Sequence, residues 1–124
     1  MLHKNEIKRI LVVDDEPSIG KMLKIKLALE GYEAIVTTSG AEAVRLAEEK
    51  KPDLVLLDIV MPGMDGFEVL NRVREFSDVP VIVFTGKPDA AEDAVRLGAT
   101  DFISKPFMPD KLMGKIREYL DSAR

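Results

Sequence analysis

Apolar residues in this chain fall into two alternating patterns. Short unbroken runs, Ile10-Leu11-Val12-Val13, Leu54-Val55-Leu56-Leu57 and Val81-Ile82-Val83-Phe84, have the length and β-branched content of strands buried on both faces. Between them, apolar residues recur at helical spacing: Ile19, Met22, Leu23 and Leu27, then Ala43, Val44, Leu46 and Ala47, then Phe67, Leu70 and Val73. The pattern predicts strands over 8–13, 33–37, 53–57, 80–84 and 101–103. It predicts helices over 17–30, 40–50, 65–75, 88–97 and 109–121. Pro17, Pro88 and Pro109 stand where helices start, Ser39 is a cap candidate, and Gly31 and Gly98 are stops. Gly114 interrupts the last helix and weakens it by about 1 kcal/mol relative to alanine.

Five strand–helix units in strict alternation imply an α/β domain, a parallel sheet with helices on both faces. Right-handed crossovers leave few topologies, and five units fit the flavodoxin-like order 2-1-3-4-5. Ligands of such sheets bind at the carboxyl ends of the strands, near the switch point between strands one and three. The 124 residues suffice for one domain and one core, with no linker, repeat or low-complexity segment.

Composition narrows the chemistry. Net charge is −4 with no basic run, against direct nucleic-acid binding. There is no cysteine and a single histidine, His3 near the start of the chain, which excludes disulfides, thiolate sites and histidine-based triads. No apolar run approaches a membrane span and no signal core opens the chain, so a cytoplasmic setting is expected.

Polar residues gather at the strand ends. Asp14 and Asp15 end the first run, Asp58 the third, Thr85 the fourth, and Lys105 follows the fifth; only the second strand offers no obvious polar group there. Singly, each is an ordinary cap or turn residue. Together they place acid pair, acid, hydroxyl and cation on one sheet edge. Three carboxylates there repel one another, so at least one should hold a raised pKa, and a divalent cation relieves this. All-oxygen ligands favour Mg²⁺, with Mn²⁺ as substitute. Asp58 can then act as nucleophile on phosphorus, with Lys105 and Thr85 serving the other phosphoryl oxygens.

In four segments the chain resembles response-regulator receiver domains, the phosphoacceptor modules of two-component signalling. These are residues 10–16 (ILVVDDE), 53–66 (DLVLLDIVMPGMDG), 81–85 (VIVFT) and 98–107 (GATDFISKPF), and the similarity spans about residues 8 to 121. The resemblance implies Asp58 as the phosphorylated residue, Asp15 as direct metal ligand, Asp14 as an acid acting through water, and Val60 as donor of a backbone carbonyl to the metal. It implies Thr85 as switch hydroxyl, Phe102 as switch aromatic with room left by Gly86, Lys105 as the phosphoryl-binding cation, and a cis Lys105-Pro106 bond. Val60 and Lys87 offer no carboxylate or amide to orient a hydrolytic water, so a phosphoryl group longer-lived than in chemotaxis receivers is expected.

The expected donor is a sensor histidine kinase or a histidine phosphotransfer protein, meeting a surface around Ile19, Met22 and Leu23, though these three could equally be core. The domain is expected to catalyse only its own phosphorylation and dephosphorylation, and to be a monomer or a phosphorylation-dependent homodimer. The chain ends just after the fifth helix, so a single receiver is expected, standing alone or preceding an output domain. Three other classes compete. A flavin or nucleotide binder would need a Gly-rich phosphate loop where Asp14-Asp15-Glu16 stands. An aspartyl phosphatase would need an acid at Val60. A receiver-like interaction module that takes no phosphate would not need the full acid, hydroxyl and lysine set.

Overall fold

The computed structural model describes residues 7–61, 63 and 65–121. His3, Pro62, Met64 and residues 122–124, all used in the sequence reading, lie outside the described residues. The strands are β1 (Arg9–Val13), β2 (Glu33–Thr37), β3 (Leu54–Asp58), β4 (Val81–Thr85) and β5 (Asp101–Ser104). The helices are α1 (Pro17–Leu29), α2 (Gly40–Lys50), α3 (Gly66–Arg74), α4 (Pro88–Arg96) and α5 (Pro109–Leu120). Every expected element is present, with ends moved by a residue or so. All strand pairs are parallel, in the order β2-β1-β3-β4-β5.

Strand alternation divides the apolar runs between two cores. Leu11, Val13, Val55, Leu57, Val81 and Val83 face α2 and α3, meeting Leu46, Leu70 and Val73. Ile10, Val12, Leu54, Leu56, Ile82 and Phe84 face α1 and α5, meeting Leu23, Leu27, Leu112 and Ile116. Each fully buried Leu or Ile contributes about 1.5–3 kcal/mol, so strands apolar on both faces anchor the domain. This settles the ambiguity in α1: Leu23 is core, Ile19 is half-buried, and Met22 is exposed.

Local chemistry sets the ends of the helices. The Ser39 hydroxyl accepts from the Glu42 amide at 3.2 Å, and the Asp65 carboxylate from the Glu68 amide at 3.0 Å. Gly66 has a packing reason as well. A Cβ there would lie 2.4 Å from Ile59 Cα and 2.6 Å from the Asp58 carbonyl oxygen. A bare backbone at α3's start is therefore what lets the helix sit against the Asp58 loop. Gly114, in contrast, is exposed, and a Cβ there meets nothing within 4 Å. Gly114→Ala is expected to stabilise the domain by up to about 1 kcal/mol, read as a higher urea midpoint at unchanged slope.

Candidate functional site

Parallel strands all point their carboxyl ends the same way, so the chemistry-bearing residues collect at one edge. Asp14 directly follows β1, Asp58 is the last residue of β3, Thr85 the last of β4, and Lys105 directly follows β5. The backbone ties these ends together. The Asp14 amide donates to the Thr37 carbonyl at 3.2 Å, and the Lys105 amide to the Thr85 carbonyl at 2.9 Å.

Asp14, Asp58 and Thr85 are buried, whereas Asp15 faces solvent. One oxygen of each carboxylate can be chosen so that the three lie within 4.8 Å of one another. The Lys105 Nζ donates to Asp58 Oδ2 at 3.2 Å and stands 3.6 Å from Asp14 Oδ2. The other carboxylate oxygens meet backbone: Asp58 Oδ1 accepts from the Val60 amide at 3.1 Å, and Asp14 Oδ1 from the Glu16 amide at 2.8 Å. Thr85 Oγ1 accepts from the Lys87 amide at 3.1 Å, which fixes the hydroxyl and leaves its own proton to donate.

Burial disfavours the charged form of both acids. Burial pushes the Asp14 carboxyl up to about 6 against the opposing pull of the Glu16 amide and Lys105. Burial also raises Asp58, opposed by the Val60 amide and Lys105. The sequence reading expected a raised pKa from mutual repulsion. The rise is there, but burial leads and repulsion between the acids is a lesser cause.

Asp58, Thr85 and Lys105 line an open cleft of about 460 Å³ with Asp15, Glu16, Val60, Gly86 and Lys87. Beside it lies an apolar groove of about 350 Å³ lined by Ile19, Met22, Pro106 and Phe107, with Glu16 and Lys105 shared between the two. The Lys105-Pro106 bond is cis. Phe102 is 40% exposed and is not part of either core. A Cβ at Gly86 would come no nearer than 4.0 Å to Lys105, so space remains beside Thr85.

The second strand does contribute at this edge, contrary to the sequence reading. Thr37 is buried, donates through its hydroxyl to Glu42, and accepts from the Ser39 amide. Its task is to close the β2–α2 turn. Glu16 and Phe84 were also passed over. Glu16 is adjacent in sequence to the acid pair; Phe84 gave no signal in a run of apolar residues.

Comparison with known proteins decides what family carries this geometry. Residues 10–117 match the family model of the response regulator receiver domain. The chain is a response regulator receiver domain. A receiver from Methanospirillum hungatei, described as CheY-like, superposes with a TM-score of 0.89 at 33% identity, covering 94% of this chain and 96% of that one. The receiver of Klebsiella pneumoniae RstA superposes with a TM-score of 0.86 at 30% identity, covering 91% of this chain and 98% of that one. The DNA-binding response regulator MtrA of Mycolicibacterium smegmatis is 43% identical over 115 residues, 91% of this chain and 50% of MtrA. The probable transcriptional regulator ycf27 of Guillardia theta is 42% identical over 115 residues, 91% of this chain and 45% of that protein. The chain thus spans about half the length of these relatives.

As a receiver, the domain is a phosphorylation-activated signalling switch of the two-component type. Its acidic cluster fits the metal site typical of receivers. The fit has a physical mark here: Asp14 Oδ2 is buried and accepts no hydrogen bond among the described residues, with the Lys105 ammonium 3.6 Å away as an ion-pair partner only. A buried carboxylate oxygen in that state is costly unless a cation completes its surroundings. No helix among the described residues is long and apolar enough to cross a membrane.

Proposed function

We propose that Asp58 is the phosphoacceptor, taking a phosphoryl group from a phosphohistidine on a sensor kinase or histidine phosphotransfer protein. The observation that carries this is the contact of Lys105 Nζ with Asp58 Oδ2 at the floor of the cleft. In the transfer, the P–N bond to the donor imidazole breaks as a P–O bond to Asp58 forms. Phosphoryl transfer depends on positioning and charge neutralisation more than on covalent assistance, and this edge supplies both. The Val60 amide orients the Asp58 carboxylate. Lys105, already beside it, can follow a phosphoryl oxygen. Thr85 has its hydroxyl proton free to donate to a second oxygen. Asp14, Asp15, Asp58 and the Val60 carbonyl would hold Mg²⁺, or Mn²⁺ in its place, which supplies charge neutralisation for the phosphoryl oxygens.

Thr85 and Phe102 are the proposed switch pair. The outward position of Phe102 and the space beside Gly86 support a reading in which Phe102 turns inward as Thr85 moves toward the phosphoryl group. The apolar groove containing Ile19 and Met22 supports a donor docking beside the cleft; Leu23, being core, drops out of that surface. MtrA is described as DNA-binding, which supports a transcriptional output for a longer protein containing this domain. We place the domain in the cytoplasm, as a monomer or a homodimer formed on phosphorylation.

The testing experiment is phosphotransfer from autophosphorylated kinases in Mg²⁺, with beryllofluoride binding as a second readout. Transfer from none of them, and no beryllofluoride binding, would leave the interaction-module reading instead. The same assay measures lifetime. Val60 is 49% exposed at the cleft and apolar, and Lys87 is cationic, so neither orients a water for attack. The phosphorylated domain is expected to persist for minutes or longer, and Val60→Asn to shorten its lifetime about three- to ten-fold. A wild-type half-life of a few seconds would contradict this.

A further inference from the structure

Lysine carries four rotatable bonds, so the placement of Lys105 needs a cause beyond the two acids that attract it. Its ammonium stands over the ring of Phe84, 5.0 Å from the ring centroid. We propose that Phe84 is a positioning residue for Lys105, its ring face holding the ammonium above Asp58 and Asp14. The proposal rests on reading Lys105 as the cation that neutralises the phosphoryl group.

Three observations support it. Phe84 is fully buried and lies opposite Asp58 in the β3–β4 register, so its ring has a fixed place beneath the site. The ring of Phe107 meets it edge to face, with centroids 5.7 Å apart and planes at 79°. Phe107 lies two residues beyond Lys105, so the loop that carries the ammonium is also pinned to the ring.

The chemistry suits the task. An aromatic face attracts a cation through its quadrupole, within about 6 Å, without a hydrogen-bond acceptor. A further carboxylate under Lys105 would hold it as well but would add negative charge where an anion must arrive. The ring fixes the ammonium and leaves its N–H donors for Asp58, Asp14 and a phosphoryl oxygen. Leucine at 84 would bury similar apolar area and provide no such face.

Two measurements test this. In the wild-type domain, the Lys105 ε-methylene protons should be shifted upfield by the ring current, and this shift should vanish in Phe84→Leu. Phenylalanines with one, two and three ring fluorines, installed at position 84, keep the shape and weaken the quadrupole. Across that series the rate of Asp58 phosphorylation by acetyl phosphate in Mg²⁺ should fall stepwise, by about three- to ten-fold in total, with Tm little changed. An ordinary Lys105 shift in the wild type, or equal rates across the series, would overturn the proposal. Lys105→Ala separates the two ideas. A wild-type rate in that variant removes the underlying reading of Lys105, whereas a slow Lys105→Ala with a flat fluorine series removes only the role of Phe84.

Discussion

Asp58→Ala takes up no phosphoryl label under conditions that saturate the wild-type domain. The neighbouring acids are poor substitutes. Asp14 is buried, with one oxygen held by the Glu16 amide and the other facing Lys105. Asp15 faces solvent, and the Lys105 ion pairs run to Asp58 and Asp14. Asp58 alone combines the strand-end position, an orienting backbone amide and direct contact with Lys105. The measurement is acid-stable quantification of label after transfer from a phosphorylated kinase, with Tm to confirm folding. Label retained on the alanine variant at wild-type level would refute the acceptor assignment. Folding should survive, because the substitution removes a carboxylate that burial disfavours.

The second large effect is on stability. In metal-free buffer at pH 7, Asp14→Asn is expected to stabilise the domain. The Asp14 carboxyl is pushed from 3.8 to about 6, chiefly by burial. Its folded-state pKa therefore lies above its unfolded value, so between about pH 4 and 6 the folded protein holds a proton that the unfolded chain has released. The stability linked to this group is fully present below about pH 4, declines as pH rises, and is lost above about pH 6. A shift of about two units corresponds to roughly 3 kcal/mol at most; solvent reaching the open cleft reduces the expectation to about 1–2 kcal/mol. The asparagine variant should gain that amount at pH 7, and the part of the pH dependence between 4 and 6 that Asp14 causes should flatten. Urea titrations at pH 4.5 and 7 measure both. Mg²⁺ should act in the opposite sense on the two proteins' ranking. At ten times its dissociation constant it adds about 1.4 kcal/mol to the wild type, and at the same concentration it adds less to Asp14→Asn. Equal stabilisation of both by Mg²⁺ would remove Asp14 from the metal site.

Both predictions depend on a site whose members were legible because of how parallel sheets work. The runs at 10–13, 54–57 and 81–84 are apolar at every position, which only a strand buried on both faces requires. Once those are strands joined by helices, their carboxyl ends share an edge, and the polar residue ending each run becomes a neighbour of the others. Asp14, Asp15, Asp58, Thr85 and Lys105 were found in that way. The same reasoning could not resolve α1. Ile19, Met22 and Leu23 fall within one helical turn and a little more, and a shift of a few tens of degrees decides which is core. Nor could it see Thr37, whose hydroxyl serves a turn that exists only once Glu42 and Ser39 come round to meet it.

The chain by itself determined the alternation, the strand order, the edge that carries chemistry and the residues gathered there. These follow from periodicity and from the handedness of crossovers, which act over short stretches. Tertiary structure decided everything set by distance between elements. It buried Asp14 and left Asp15 in solvent, and burial pushes the Asp14 carboxyl up to about 6. It turned Phe102 outward, and it brought the Phe84 ring beneath Lys105 and the Phe107 edge against it. A run of apolar letters states that Phe84 is inside. Only the packing of β4 against the loop after β5 states what its face looks at.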